Sequence, residues 1–314
     1  MSRNLYVIGN GFDLWHGLPT SYRNFNCFMC RNYPKSHSRI GRMYNQLDPN
    51  MLWSDYEKVL GDLEVLRFVE QKIDNWINMD SKSFKNEFDT LHSDITGYFH
   101  DWVKDINYSI VNKKRICSIC HDKNAWFLTF NYTSTLENFY GIQDEQICYI
   151  HGDTGKNPAR RPIVGHGISE NEIDKRVVAL RDQIRRIVSS YMLPEDEKKQ
   201  EKWTEDIEEE TINFLKGIRK KTENCLEEKS EWFKQVKGFN DIYVLGHSLS
   251  DIDAPYFERI YKANPDATWR VSCLDESEKV KKAEGLCKML EISMEKIQIK
   301  MFQMDELCCK YIEK

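Results

Sequence analysis

The stretch LYVIGNGFDLWHGLPTSY, residues 5–22, indicates the fold class. Its first four residues are apolar, which is typical of a strand buried on both faces of a parallel sheet. The run ends at Gly9-Asn10-Gly11, so we expect a glycine turn, which Gly17 to Thr20 extend as a loop. Ser21 can cap the helix expected after it. The stretch therefore predicts a strand, a loop and a helix in that order.

Short apolar runs alternate with amphipathic segments along the rest of the chain. Such alternation is typical of a mainly parallel sheet with helices on both faces. We therefore expect an α/β, Rossmann-like fold, built as a single domain over residues 1–314. The further predicted strands are AWFLTFNY (125–132), CYIHG (148–152), DIYVLGHS (241–248), ATWRVSCL (267–274) and KIQIKMF (296–302).

Helical insertions interrupt this alternation at about 40–120 and at about 169–238. In the first insertion, apolar residues recur at steps of three and four, the helical period. The second insertion is rich in Glu, Lys and Arg and has few apolar positions. We interpret it as long, solvent-exposed helices. The alternatives are a lid, a homo-oligomer surface or a docking site for an activating partner protein.

The composition argues against several classes of protein. Of the 314 residues, 40% are hydrophobic and 12% aromatic, which is too rich in aromatics for general disorder. The formal net charge of -5 argues against sequence-independent binding of nucleic acid. No apolar run reaches the length of a membrane span, and because the first predicted strand begins at Leu5, we expect no signal peptide before it. We therefore expect a cytoplasmic protein without membrane contact, whose cysteines are reduced.

Glycines and unusual polar residues follow several of the predicted strands. In an open parallel sheet, ligands bind at the carboxyl ends of the strands, where loops and helix amino termini converge. If the strands concerned are neighbours, the segments that follow them line one crevice. These segments are Gly9 to Asp13, Phe130 to Thr133, His151-Gly152 and Gly246 to Asp251.

The glycines of this crevice suit a phosphate cradle, because glycine lets backbone N–H groups approach an anion closely. The alternative is a purely structural turn, since the first loop lacks the third glycine of the dinucleotide fingerprint. Asp13 is expected to face a ribose hydroxyl or protein, because a carboxylate would repel phosphate. The candidate nucleotide-binding residues are Gly9, Asn10, Gly11, Phe12, Asp13, Thr133, Gly246, His247 and Ser248.

Asn131 and His151 are the candidate catalytic residues. An imidazole titrates near neutral pH and can accept a proton from a ribose hydroxyl or from water. The alternative for His151 is a strand-end histidine satisfied by the backbone. The Asn131 carboxamide can orient a sugar hydroxyl or a water, and the alternative is a cap for the next helix. His16, His166 and His247 are further candidates for the pocket.

Cys-x-x-Cys pairs raise the question of a metal site, since four thiolates can bind zinc. The pairs are Cys27 with Cys30 and Cys117 with Cys120. They lie too far apart for a compact zinc ribbon, and the first pair belongs to a helical aromatic stretch. We therefore predict structural thiols and no metal.

Taken in order, several motifs resemble the bacteriophage abortive-infection AbiH family. The resemblance runs from the first strand to about Phe257. That family is in turn distantly similar to sirtuin-like NAD-binding proteins, including the NAD-consuming effectors of antiphage systems. The motifs are VIGNGFDLWHGLPTSYRNF (7–25), WSDYEKVL (53–60), LTFNYTSTLENFY (128–140), YIHG (149–152) and VLGHSLSDIDAPYF (244–257).

The resemblance implies an antiphage effector that binds NAD and hydrolyses its nicotinamide glycosidic bond. It matches the asparagine and the catalytic histidine of sirtuin-like proteins to Asn131 and His151, and it implies no metal. Thr133 stands where those proteins usually carry an aspartate, and Asn10 and Asp13 stand where a small residue and a serine are expected.

The alternative function is a non-catalytic nucleotide sensor or interaction module in an antiphage complex. It uses the same crevice to bind NAD or a related nucleotide and passes a conformational change to a partner. A nuclease has little support, because the sequence contains no clustered carboxylate metal site and no basic stripe.

Overall fold

The structure, a computed structural model, describes residues 3–44, 56–76, 82–106, 108–110, 116–122, 124–153 and 162–308. The chain divides into two compact units. The sheet unit comprises 1–21, 103–162 and 221–314, and the helical unit comprises 22–102 and 163–220. The expectation of a single domain with insertions at about 40–120 and 169–238 stays a prediction.

The sheet unit contains a six-stranded, all-parallel sheet, which confirms the predicted α/β, Rossmann-like fold. Its strands are β1 (Asn4–Ile8), β2 (Trp126–Thr129), β3 (Ile147–Tyr149), β4 (Asp241–Leu245), β5 (Thr268–Cys273) and β6 (Gln298–Gln303). Their order in the sheet is β3-β2-β1-β4-β5-β6. From β1 the chain adds β2 and β3 on one side of the sheet and then β4, β5 and β6 on the other, so the strand order reverses between β1 and β4. Open parallel sheets bind ligands at such a reversal.

Burial explains why these segments form strands. Leu5 and Val7 are completely buried, as expected for a central strand covered on both faces. Tyr6 stacks on Phe127 of β2 and on Tyr243 of β4, with ring centroids 5.2 and 4.9 Å apart. Each buried aliphatic or aromatic side chain contributes roughly 1.5–3 kcal/mol. These contacts hold the three central strands together.

Helices connect the strands and form the helical unit. Among the residues that the structure describes, none of them is long and apolar enough to cross a membrane. They are α1 (Asn10–Trp15), α2 (Tyr22–Asn32), α3 (Pro34–Met43), α4 (Tyr56–Val59), α5 (Val65–Trp76), α6 (Lys82–Lys104), α7 (Thr135–Tyr140), α8 (Glu170–Val178), α9 (Arg181–Ser190), α10 (Glu197–Gly217), α11 (Thr222–Glu228), α12 (Ser230–Gln235), α13 (Ala254–Ala263) and α14 (Glu276–Met289).

The segment after β1 differs from the sequence prediction. Helix α1 begins at Asn10, directly after Gly9, so the predicted glycine loop is wrong for this segment. The reason is a close approach between the ends of β1 and β4. A Cβ atom at Gly246 would lie 2.1 Å from the backbone nitrogen of Phe12, and one at Gly11 would lie 2.8 Å from the Cα of Gly246. Because no side chain intervenes, the chain turns into α1 at once.

The helical unit has its own aromatic core. Phe25 packs against Tyr56, Phe99 and Trp102, with ring centroids 5.2–5.4 Å apart. The charged segment also pairs within this unit. Arg181 of α9 lies 2.5 Å from Glu201 and 2.8 Å from Glu208 of α10. Residues 45–55, 77–81, 107 and 111–115 of the first predicted insertion lie outside the described residues.

Candidate functional site

The strand ends that the sequence singles out lie side by side. Strands β3, β2, β1 and β4 are consecutive neighbours in the sheet, and all run in parallel. The backbone continues this pairing past the strands. Gly9 donates to the carbonyl of Leu245 (2.9 Å), and Phe130 donates to the carbonyl of Ile8 (2.9 Å). The four predicted segments therefore follow neighbouring strands at one edge of the sheet.

The glycines at this edge take part in backbone packing. The Gly11 N–H donates to the Gly246 carbonyl at 2.8 Å, so it and the Gly9 N–H are both bound to backbone oxygens. Gly246 has a left-handed φ of +63°, which favours glycine over any other residue. Its own N–H donates to the Ser272 hydroxyl at 2.8 Å. These contacts fix the positions of α1 and of the segment after β4.

Asp13 forms a buried cluster with two threonines. Its carboxylate accepts hydrogen bonds from Thr133 Oγ1 (2.5 Å) and Thr135 Oγ1 (2.7 Å), and only 1% of the residue is exposed. Burial raises the pKa of Asp13 from its usual 3.8 to about 6, although hydrogen bonds with Thr133, Thr135 and Asn131 lower it. Of the two predicted orientations for Asp13, the structure shows the one toward protein.

The side-chain amide of Asn131 has a hydrogen-bonded nitrogen and an oxygen without a hydrogen-bond partner among the described residues. Its Nδ2 donates to the Gly9 carbonyl at 3.1 Å, which fixes the orientation of the carboxamide, since a carbonyl oxygen can only accept. Its Oδ1 is buried and has no hydrogen-bond partner among the described residues. Helix α7 is preceded by Ser134, and Asn131 makes no capping bond to it. The predicted alternative of a helix cap is therefore wrong.

His151 is buried next to polar groups of the segment that follows β4. It is 2% exposed, and its ring meets the Phe130 ring edge-on, with centroids 5.3 Å apart. Its Nε2 lies 3.3 Å from the Tyr256 hydroxyl and 3.9 Å from Oδ1 of Asp253. The described groups around this nitrogen are side chains, and the choice between a catalytic histidine and one satisfied by the backbone stays a prediction.

His247 contacts the same carboxylate from the other side. Its Nδ1 accepts the N–H of Leu249 at 2.9 Å, and its Nε2 lies 3.3 Å from Oδ2 of Asp253. His247 is 4% exposed and Asp253 is 7% exposed. The Phe130 ring lies against His247 as well, with centroids 4.4 Å apart. Two buried imidazoles therefore flank one buried carboxylate.

Sequence reasoning assigned no role to Asp253 or Tyr256. Asp253 occupies the N-cap position of α13, but its side chain makes no capping hydrogen bond. The signal available in the sequence is an aspartate at a helix start shortly after a strand end. That signal cannot be told from an ordinary cap, because the partners His247 and His151 are revealed only by the fold.

The other two pocket histidines have structural surroundings. His16 Nδ1 lies 2.7 Å from the Phe12 carbonyl, and its Nε2 lies 2.5 Å from the Tyr140 hydroxyl. His166 belongs to the helical unit, where its Nε2 lies 3.0 Å from the Leu215 carbonyl. Burial lowers the pKa of His166 to about 4, so it is neutral at physiological pH. Neither histidine belongs to the group around Asp253.

The cysteines show no metal centre in the described part of the chain. Cys27 and Cys30 are exposed on α2, and Cys117 is buried. The side chain of Cys120 lies outside the described residues. No group of three or more His, Cys, Asp or Glu side chains suited to a metal occurs among the residues that the structure describes.

Comparison with known proteins identifies a family. The model of the family described as bacteriophage abortive infection AbiH matches residues 5–273. This match includes all four strand-end segments of the candidate site. No curated protein and no solved structure matches the chain.

Proposed function

The chain belongs to the bacteriophage abortive infection AbiH family, and from this premise we propose that it is an antiphage effector that consumes NAD. The reaction is hydrolysis of the nicotinamide glycosidic bond. Loss of NAD arrests an infected cell and limits the spread of the phage. The resemblance of the strand-end motifs to those of sirtuin-like NAD-binding proteins supports this choice of substrate.

The carboxamide oxygen of Asn131 carries the proposal. A buried acceptor without a partner costs about 1–3 kcal/mol, and Oδ1 of Asn131 is such an acceptor. A ribose hydroxyl is a donor that would satisfy it. Asn131 also lies at the end of β2, next to the reversal of the sheet between β1 and β4. Nucleotides bind at this position in open α/β sheets.

The chemistry needs little from the protein beyond positioning and one base. Nicotinamide attached to ribose is positively charged, so it leaves without acid assistance, through an oxocarbenium-like transition state. Asn131 orients the ribose and the attacking water. His151 accepts a proton from that water or from a ribose hydroxyl. Under this proposal the rest of the dinucleotide lies along the segments that follow β1 and β4. The N–H groups of Gly9, Gly11 and Gly246 are already bound within the protein and do not act as donors to it.

Two residues depart from the sirtuin-like pattern. Sirtuin-like proteins carry an aspartate at the position of Thr133 and a serine at that of Asp13. In this chain the Asp13 carboxylate accepts a hydrogen bond from the Thr133 hydroxyl at 2.5 Å, so the two side chains bind each other.

The test measures NAD in bacteria during infection, so that any trigger is present. Cells carrying the wild-type chain, Asn131→Ala or His151→Ala are challenged with a panel of phages. We expect the wild type to restrict a phage while NAD falls, and both variants to lose protection with NAD unchanged. His100→Ala, a partly exposed histidine outside the site, is the control. Protection without loss of NAD, or loss of NAD that both variants retain, contradicts the proposal.

A second candidate is a non-catalytic nucleotide sensor. The observation that favours it is the burial of the two candidate catalytic residues, since only 6% of Asn131 and 2% of His151 is exposed. A sensor binds NAD or a related nucleotide without turnover. Equilibrium dialysis with NAD, followed by analysis of the recovered ligand for free nicotinamide, separates the two functions.

A further inference from the structure

We propose that the helical unit mediates self-association, in which a cationic face of α2 and α3 docks on an acidic face of α6 and α10 in a second copy of the chain. Neither face contains a candidate site residue, so self-association goes beyond the proposed activity toward NAD and does not depend on it. For the charged segment at about 169–238, this proposal selects the homo-oligomer surface from the alternatives that the sequence leaves open.

Helices α2 and α3 carry positive charge and no negative charge. They contain five Arg and Lys side chains and no Asp or Glu. The two helices adjoin, since Oδ1 of Asn26 lies 2.6 Å from Nε2 of His37. Arg39 is bound to Asp94 of α6 at 3.1 Å. The other four cations are exposed and form no ion pair with any described residue: Arg23, Arg31, Lys35 and Arg42.

These four side chains lie on the outer side of their helices. Arg23 and Arg31 lie on the exposed side of α2, opposite the buried Phe25, and their separation along the helix is about 12 Å. Lys35 and Arg42 are seven residues apart, close to two helical turns, on the exposed side of α3. Apolar and uncharged polar residues separate the cations in the sequence, so it is the folding of the two helices that forms the face.

The acidic face combines α10 with Asp89 of α6. The Phe88 and Phe214 rings join these two helices, with centroids 4.8 Å apart. On α10, three carboxylates are spaced at three and four residues, which places them on one side of the helix. These three are Asp206, Glu209 and Glu210. Neither they nor Asp89 form an ion pair within 4 Å in the part of the chain that the structure describes.

The carboxylates of the acidic face repel one another. Burial raises the pKa of Glu210, the neighbouring carboxylates of the face raise it further, and the Lys85 ammonium lowers it. Elsewhere on α10 the carboxylates are neutralised within the protein, because Arg181 of α9 binds them. The acidic face therefore gains from a cationic partner, and the rest of α10 already has one.

The charges favour a second copy of the chain over a nucleic acid. Complementary charge on two faces fixes register and steers association, and this chain carries both faces. The net charge of -5 opposes the approach of a polyanion. Tyr33 at the start of α3 stacks on Tyr98, with centroids 3.8 Å apart, so its ring is engaged within the protein and does not stack on a base.

Sedimentation velocity of the full-length chain tests the proposal. We expect the wild type to sediment as two chains at about 0.1 M NaCl and as one chain at about 1 M, because the Debye length falls from about 10 Å to about 3 Å. The cationic-face variant is Arg31→Glu with Lys35→Glu, and the acidic-face variant is Asp89→Lys with Glu209→Lys. Each variant places like charges opposite each other, so we expect its dimer Kd to rise by about 100-fold or more.

An equimolar mixture of the two variants should again sediment as two chains, because the intact cationic face of one meets the intact acidic face of the other. The matched control is Lys281→Glu with Lys296→Glu, which changes two exposed lysines of the sheet unit and should keep wild-type association.

Three results overturn the inference: a wild type that sediments as one chain at about 0.1 M NaCl, association that salt does not weaken, and a mixture that stays dissociated. Binding of a fluorescent single-stranded DNA is measured in parallel. A cationic-face variant that loses DNA binding while its association is unchanged assigns the face to nucleic acid and also overturns the inference. The salt series on the wild type decides the question even if a variant fails to fold.

Discussion

Replacing Gly246 by alanine tests whether the strand-end glycines serve close backbone packing. A Cβ at this position would lie 2.1 Å from the Phe12 nitrogen and 2.4 Å from the carbonyl carbon of Gly11, and φ is +63°. The left-handed conformation costs alanine roughly 1–2 kcal/mol. Forcing apart two packed segments adds roughly 1–3 kcal/mol. We therefore expect Gly246→Ala to lower the free energy of unfolding by about 2–5 kcal/mol.

Gly238 provides the matched control. Its φ is +72°, but nothing lies within 4 Å of a Cβ placed there. Gly238→Ala should therefore lower the free energy of unfolding only by the cost of the left-handed backbone conformation, roughly 1–2 kcal/mol. Urea unfolding of both variants and the wild type, followed by circular dichroism, gives the difference. Equal losses for the two variants would refute the packing argument, because the steric contact would then have no measurable effect.

Two further substitutions test buried charges. Asp13→Asn tests the raised pKa of the wild-type carboxyl, which burial moves from 3.8 to about 6. The folded protein binds the proton of the Asp13 carboxyl more tightly than the unfolded chain does. The stabilisation of the fold by this bound proton is therefore complete below about pH 3.8 and is lost as the pH rises to about 6. Relative to Asp13→Asn, the wild type should lose about 2 kcal/mol of unfolding free energy between pH 4 and pH 6.5, measured by urea unfolding at both values. Parallel pH profiles for the two proteins would contradict this. Glu57→Gln leaves Lys220, which is 3% exposed and lies 2.7 Å from Glu57, without its counter-charge, and should cost about 3–5 kcal/mol. The control is Glu258→Gln, which breaks the exposed ion pair with Lys262 and should cost at most about 1 kcal/mol. Equal urea-unfolding midpoints for Glu57→Gln and Glu258→Gln would contradict the prediction.

The strands could be predicted because their signal is local. Apolar runs such as Leu5 to Ile8 end at glycine or polar residues, and a strand of the structure overlaps every predicted run. Helix α1 could not be predicted, because Gly9-Asn10-Gly11 has the local composition of a turn. Its early start depends on contact with Gly246, more than 200 residues away in the sequence.

The site could be predicted only as far as the strand ends. The sequence indicates that Asn131 and His151 each follow a strand, and the carboxyl ends of parallel strands share an edge. That the two strands are neighbours is shown by the fold. The sequence cannot show that His247 and His151 flank Asp253, because these contacts join residues up to 102 positions apart. The sequence also cannot show whether Asn131 caps a helix or keeps a side-chain oxygen without a partner. The outcome depends on the position of the Gly9 carbonyl, which binds the side-chain nitrogen of Asn131.

A crystal structure of His151→Ala soaked with NAD tests the central claim, because this variant removes the base and preserves the substrate. The account predicts a ribose hydroxyl about 2.5–3.0 Å from Oδ1 of Asn131. It also predicts that the dinucleotide lies across the carboxyl ends of β1 and β4. NAD bound elsewhere on the chain, or an Asn131 oxygen that still lacks a partner in the NAD complex, would contradict it.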